Sequence, residues 1–292
     1  MPSPLVRLHD ARLGDVRLVL KRDDLIHPDL PGNKWRKLKH NIPAAQAMGT
    51  LLTFGGAYSN HIRATATAGR LYGFRTIGVI RGEEHLPLNP VLTYAVEQGM
   101  TLTYLDRETY RRKTSPEVVA DLRNRFGEFF LLPEGGSNAE AVRGCSEVPA
   151  EIDFDFDVIA CACGTGGTLA GLSAGLKGQR ALGFSVLKGG FLTAEVARLQ
   201  QAALGTVRRN WTVNDEFHFG GYARRTTALD GFIADFRDRH GLALDWVYVA
   251  KMLFGLYALT ARGAFAAGTT VVAVVTGSGE WDSRPAAHNS QG

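Results

Sequence analysis

Gly32-Asn33-Lys34-Trp35-Arg36-Lys37 sets a lysine in the first turn of an expected helix, residues 34–46, behind a glycine that lets the backbone turn. A helix N-terminus carries unpaired N–H groups and partial positive charge. An ammonium is disfavoured there, so Lys34 is expected to have a lowered pKa and to act as a free amine. Such an amine can form a Schiff base with an aldehyde. The plain alternative is that Lys34, Arg36, Lys37 and Lys39 are the solvated face of a basic helix. The hexapeptide alone leaves both readings open.

A second stretch, Cys163-Gly164-Thr165-Gly166-Gly167-Thr168, follows an apolar run and precedes a helical one. Glycines there expose backbone N–H groups, and the helix N-terminus adds positive potential, which together make a phosphate cup. A plain strand-to-helix turn uses glycine too. In the dinucleotide register Leu169 stands where the third glycine belongs, and no Gly-Lys-Ser/Thr is present for a P-loop. A mononucleotide-sized phosphate fits best.

Three further groups could contact a ligand. Gly55-Gly56-Ala57-Tyr58-Ser59-Asn60-His61 ends a strand, where α/β folds place ligands. Its N–H groups and the Ser59 hydroxyl could hold a carboxylate, and Asn60 offers an amide to a ring oxygen; alternatively Ser59 caps the next helix. Thr276-Gly277-Ser278-Gly279 repeats the pattern at another strand end, or is an ordinary C-terminal turn. Tyr222 and Tyr248 carry phenols suited to stacking or acid–base work, although a lone tyrosine is more often packing.

The elements that would position these residues follow a regular order. Strands are expected at 16–21, 50–54, 75–80, 101–105 and 129–132, with helices at 64–72, 89–98 and 116–125 between the later ones. After a turn-rich seam at 133–138 come strands at 158–163, 180–186, 212–217 and 270–275, an extended segment at 245–249, and helices at 168–176, 192–204, 228–240 and 252–266. Residues 283–292 read as a frayed tail. The βα alternation predicts an α/β fold of two domains, each a mostly parallel twisted sheet flanked by helices. The boundaries expected are 1–40 with 137–292 for the large, cofactor-binding domain and 41–136 for the small one.

Composition narrows the function. The chain has 292 residues, 45% of them hydrophobic, enough for two lobes. Its formal charge of +4 is mild and dispersed, and no nucleic-acid motif is present. That balance suits an anionic small molecule at least as well as a nucleic acid. No apolar run reaches the roughly 18–20 residues that span a bilayer. Three cysteines are no disulfide framework, so the expected compartment is the reducing cytoplasm. Cys161 and Cys163 have no further partners at metal spacing and read as buried free thiols.

In this order the pieces resemble pyridoxal-phosphate enzymes of the tryptophan-synthase β-like fold (fold type II), closest to the group containing 1-aminocyclopropane-1-carboxylate (ACC) deaminase and D-cysteine desulfhydrase. The resemblance rests on Lys21-Arg22-Asp23-Asp24-Leu25, Gly32-Asn33-Lys34-Trp35-Arg36-Lys37 and Gly55-Gly56…Ser59-Asn60-His61, and runs from about Leu18 to Gly279. It implies pyridoxal 5'-phosphate as cofactor, with Lys34 bonded to its aldehyde and later moving the substrate's α-proton. It implies that Asn60 bonds the phenolic oxygen and that Gly164, Thr165, Gly166, Gly167 and Thr168 hold the phosphate. Ser59, Asn60 and His61 would bind the substrate carboxylate, with Ser59 assisting proton transfer and Tyr222 and Tyr248 lying over the substrate. A homodimer is implied as well.

One position departs from the group's pattern. After the second tyrosine the deaminases carry a glutamate that pairs with the pyridine nitrogen, and the desulfhydrases a threonine; here Val249 can do neither. Thr276 or Ser278 is the expected substitute. A neutral hydroxyl partner leaves the ring nitrogen largely unprotonated. That weakens the electron sink needed to open a cyclopropane, but it suffices for α-proton loss and expulsion of a thiolate. The stretch Gly220-Gly221-Tyr222-Ala223-Arg224-Arg225 also differs from the group's Gly-Tyr-Gly run. The expected function is therefore a lyase/deaminase acting on a small amino acid by β-elimination, D-cysteine first. ACC deamination is the alternative, and a pyridoxal-phosphate-binding protein with little turnover a further one.

Overall fold

The computed structural model describes residues 2–30 and 32–277. The chain runs β1 (Leu5–Leu8), β2 (Arg17–Lys21), α1 (Asn33–Lys39), α2 (Ile42–Met48), β3 (Thr50–Gly55), α3 (Asn60–Tyr72) and β4 (Arg75–Arg81). It continues through α4 (Pro90–Glu97), β5 (Thr101–Leu105), α5 (Arg107–Arg111), α6 (Pro116–Phe126), β6 (Phe130–Leu132) and α7 (Ala139–Ser146). Then follow β7 (Val158–Cys163), α8 (Gly167–Gly175), β8 (Arg180–Ser185), α9 (Leu192–Leu204), β9 (Trp211–Asn214), α10 (Thr227–His240), α11 (Val249–Ala261) and β10 (Thr270–Val274).

The chain divides into two compact units, Met1–Lys37 with Ala139–Gly292, and Leu38–Asn138. Among the described residues, the first unit holds a six-stranded sheet in the order β1-β2-β10-β7-β8-β9. Every pairing in it is parallel except that of β1 with β2. Alternation along the strands divides its core in two. Leu18, Leu20, Ala160, Ala162, Val271 and Ala273 pack towards Phe236, Leu253 and Leu256 of α10 and α11. Val19, Ile159, Cys161, Cys163, Val272 and Val274 pack towards Leu169, Leu172, Val196 and Leu199 of α8 and α9. All three cysteines are free and buried, and the Cys161 and Cys163 sulfurs lie 3.8 Å apart on that second face.

The second unit holds a four-stranded, all-parallel sheet in the order β5-β4-β3-β6. Leu52, Phe54, Ile77 and Val79 face Tyr110 and Leu122 of α5 and α6, whereas Ile80 packs with Ile62, Ala66 and Leu92 of α3 and α4.

Several expected elements differ from those found. The helix expected at 34–46 is two helices, α1 and α2, because Pro43 sits in the first turn of α2 and has no N–H to continue α1. The segment expected to be extended at 245–249 is a turn leading into α11, which ends at Ala261 rather than 266. The strand expected at 212–217 stops at Asn214. The edge strand β1 and helices α5 and α7 were not anticipated. The tail at 283–292 lies outside the described residues. No described helix is long and apolar enough to cross a membrane, and the described residues include no group of three or more His, Cys, Asp or Glu placed to hold a metal ion.

Candidate active site

In the first unit the site is built around the start of α1. Gly32 has φ +78°, and a Cβ there would lie 2.0 Å from the Thr276 carbonyl oxygen, so no side chain fits. The Gly32 N–H donates to Asp23 O (2.8 Å) and that of Asn33 to Thr276 O (3.3 Å), fixing the helix start beside the end of β10. The Asn33 amide donates to the Thr168 hydroxyl at 2.9 Å, which joins the helix start to the glycine turn. Lys34 as a whole is only half-buried. Burial first, and the nearby Lys37 cation second, nevertheless pull its amine down to about 7. The direction matches the sequence expectation, but the cause is desolvation first and a like charge second, rather than the helix terminus.

Arg36 and Lys37 are buried, so α1 is not a solvated basic face. Arg36 grips Asp23 with Nε and Nη2, each at 2.7 Å, and Glu151 with Nη1 (2.7 Å) and Nη2 (2.9 Å). Lys21 Nζ reaches Glu151 at 2.7 Å and donates to the Ser3 carbonyl at 2.6 Å. The Ser3 hydroxyl donates to Asp23 at 2.6 Å. Two cations thus meet two carboxylates in a buried cluster that compensates its own charge. Burial favours the neutral form of Glu151, but hydrogen bonds from Arg36 and Lys21 outweigh it and hold the carboxyl at about 2. Lys21 and Asp23 of the motif are therefore anchors of the lysine helix. The sequence had assigned them no role.

The glycine turn follows β7. Gly166 has φ +73°, and a Cβ there would lie 2.8 Å from the Val196 side chain. Helix α8 starts at Gly167 with no side-chain cap, so the first N–H groups are left to whatever occupies the turn. Lys37 Nζ comes within 3.4 Å of the Thr165 hydroxyl, bringing an amine to the same turn. Uncapped amides, a glycine at 166 without room for a side chain and a neighbouring lysine are a donor set for a phosphate dianion. An amine drawn towards neutrality nearby is the partner for an aldehyde. The residues present fit pyridoxal phosphate.

Tyr248 lies against this turn, its ring Cε1 3.3 Å from where a Gly164 Cβ would be. Tyr222 packs on Tyr248 edge-to-face, with centroids 6.1 Å apart. Tyr248 stands where it does because the Asp245 carboxylate accepts from the N–H groups of Val247 (3.1 Å), Tyr248 (2.8 Å) and Val249 (3.2 Å). This is a helix-start device that outweighs the strand propensity of Trp-Val-Tyr-Val. Val249 is fully buried in the core shared with α10. The first unit therefore brings Lys34, the 164–168 turn, Tyr222, Tyr248 and the Thr276 backbone to one end of its sheet. Ser278 lies outside the described residues.

In the second unit, Ser59, Asn60 and His61 follow the end of β3. The Ser59 hydroxyl caps α3, accepting from the N–H groups of His61 (3.2 Å) and Ile62 (3.4 Å). Asn60 is exposed at the first helical position. The His61 ring turns inward and is buried, with Nε2 2.8 Å from the Thr53 hydroxyl. That hydroxyl gives its single proton to Leu132 O (2.8 Å), so Nε2 is the donor to Thr53.

Comparison with known proteins bears on this arrangement. The sequence profile of the family described as pyridoxal-phosphate dependent enzyme matches residues 1–277. A putative ACC deaminase of Pyrococcus horikoshii is 31% identical over 262 residues, 84% of this chain and 79% of that protein. A mitochondrial bifunctional D-cysteine desulfhydrase/ACC deaminase of Arabidopsis thaliana is 31% identical over 88% of this chain and 71% of that protein. The crystal structure of an ACC deaminase homologue superposes with a TM-score of 0.84 at 28% identity, covering 96% of this chain and 91% of the other.

Proposed function

Because this chain belongs to the pyridoxal-phosphate dependent enzymes, with their α/β fold type II architecture, we propose that it is a lyase/deaminase of a small β-substituted amino acid, with D-cysteine the first substrate. D-Cysteine and water would give pyruvate, sulfide and ammonia. The observation that carries this reading is the Lys34 amine, drawn to about 7, on a helix whose first residue, Asn33, is bonded to Thr168 of the glycine turn.

When bound, pyridoxal phosphate supplies the electron sink for bond breaking next to the amino group. The chain's own residues bind, orient and move protons. Lys34 would hold the cofactor at its aldehyde carbon and would move the proton at the substrate's α-carbon. The 164–168 amides and Lys37 would hold the phosphate, Asn60 the ring oxygen, and the hydroxyl of Thr276 or Ser278 the ring nitrogen. Ser59, Asn60 and His61 receive the substrate carboxylate, with Ser59 assisting proton transfer. His61 would have to contribute through a rearranged ring, since its Nε2 is committed to Thr53. Tyr222 and Tyr248 cover the substrate. The larger unit is the cofactor-binding domain on this reading. Buried free thiols favour a cytoplasmic setting, and the resemblance a homodimer; a monomer in sedimentation would remove the latter.

A panel of D- and L-amino acids, read as keto acid plus ammonia, tests the activity. Retention of the violet-region cofactor band and of turnover by Lys34→Ala would overturn the assignment. ACC deamination is the second reading, favoured by the names of the relatives and opposed by Val249, which is apolar and buried. Release of 2-oxobutyrate from ACC at a rate rivalling D-cysteine turnover would reverse that order.

A further inference from the structure

Lys251 is fully buried in the first turn of α11, three residues after Tyr248. Burial is costly for an ammonium, and a helix N-terminus is the unfavourable end for a cation. The Asp245 carboxylate that starts the helix offsets part of this. The ammonium donates to two backbone carbonyls, His218 O at 2.9 Å and Gly221 O at 2.8 Å. Gly221 directly precedes Tyr222.

The loop it grips is under backbone strain. Phe219 (φ 53°) and Ala223 (φ 50°) are non-glycine residues in the left-handed region, on either side of Gly220 and Gly221 at φ 93° and 122°. Such conformations persist only where the surroundings impose them. Besides Lys251, the turn is held by Gly221 N–H to His218 O (3.0 Å), Gly220 N–H to His218 Nδ1 (2.9 Å) and Arg224 N–H to Gly221 O (3.2 Å). Those bonds lie within the loop, whereas Lys251 ties its backbone to the helix that Tyr248 opens, beside the Phe219 ring, which packs edge-to-face on Phe254 of that helix with centroids 5.0 Å apart.

We propose that Lys251 is a positioning residue, its ammonium fixing the 218–221 backbone to α11 so that the Tyr222 ring is held against Tyr248. One helix then aligns both phenols, Tyr248 through its N-terminal residue and Tyr222 through a side chain one turn later. The functional part of this inference rests on the reading that Tyr222 contacts the substrate.

Lys251→Met and Tyr222→Ala, singly and together, test it in the holoenzyme. Lys251→Met is expected to keep the cofactor band and to lose roughly 10- to 100-fold in kcat/KM, the scale on which a displaced positioning group is felt. The double variant should lose no more than the worse single one. Additive losses would overturn the proposal, and so would a costless Tyr222→Ala beside a costly Lys251→Met. A second arm needs no turnover. Trypsin should cut Lys251→Met faster than wild type after the exposed Arg224 and Arg225; equal rates count against the clamp. Should the variant not fold, amide exchange in the wild-type enzyme decides. Protection of Gly221 and Arg224 amides close to that of α11 is expected, and free-loop rates would refute the proposal.

Discussion

The Asn33 side-chain amide donates to the Thr168 hydroxyl across 2.9 Å, joining the residue before Lys34 to the start of α8. The lysine helix and the glycine turn are thereby joined by a neutral bond between side chains 135 positions apart, beside the Lys37–Thr165 contact at 3.4 Å. Asn33→Ala removes that bond but leaves the backbone hydrogen bond from Asn33 N–H to Thr276 O. A neutral hydrogen bond is worth about 1 kcal/mol, so cofactor affinity should fall roughly fivefold. Absorbance titration of the apoprotein measures this, and an unchanged affinity would show that the register is set elsewhere.

Lys34 gives a pH dependence to cofactor capture. Its folded-state pKa of about 7 lies below the usual 10.5, so the free amine predominates above about pH 7. The rate of cofactor uptake by the apoprotein should rise between pH 6 and 8 and then level off. A rate still climbing towards pH 10 would mean that Lys34 keeps an ordinary lysine pKa. Lys34→Ala should abolish both the band and turnover.

The cluster under α1 predicts an acid limb in stability. Glu151 titrates at about 2 in the fold against 4.5 for a free glutamate. A depressed carboxyl contributes stability that is complete above the unfolded value and is lost as pH falls through the folded one. Denaturation midpoints should therefore drop between about pH 4.5 and 2, and Glu151→Gln should flatten this limb while lowering stability at neutral pH. Arg36→Leu leaves two carboxylates without their main partner and should cost about 3–5 kcal/mol in urea unfolding, the usual penalty for breaking a buried pair.

Gly32→Ala places a methyl group 2.0 Å from the Thr276 oxygen at a φ of +78°. The helix start must move or the end of β10 must yield. Reduced cofactor retention on dialysis is expected, with a loss in melting temperature larger than that of Gly73→Ala. Gly73 has a similar φ of +74° but open space around it. Equal losses at the two positions would assign the effect to backbone strain alone.

The architecture was legible in the sequence where local pattern and tertiary packing agree. The apolar runs at 158–163 and 270–275 predicted strands, which are found as β7 and β10 with every residue buried, and the glycines after β7 predicted the turn before α8. It was illegible where one polar side chain outweighs propensity. Asp245 converts a strand-like run into a helix start, and Pro43 divides what reads as one basic helix. The fates of Arg36 and Lys37 were hidden for a different reason. Their partners Glu151 and Thr165 are 115 and 128 residues away, and no local pattern records such a pairing. His61, adjacent to Asn60 in a polar run, turns inward because Thr53, eight residues earlier, offers a buried acceptor.

Ser3 is buried, with its carbonyl taken up by Lys21 and its hydroxyl by Asp23. Through Asp23, which pairs with Arg36, Ser3 braces the helix that carries the reactive amine. Trimming residues 1–3 would unseat two ionic partners at once, and the damage would surface in the chemistry of Lys34, far along the chain from the cut.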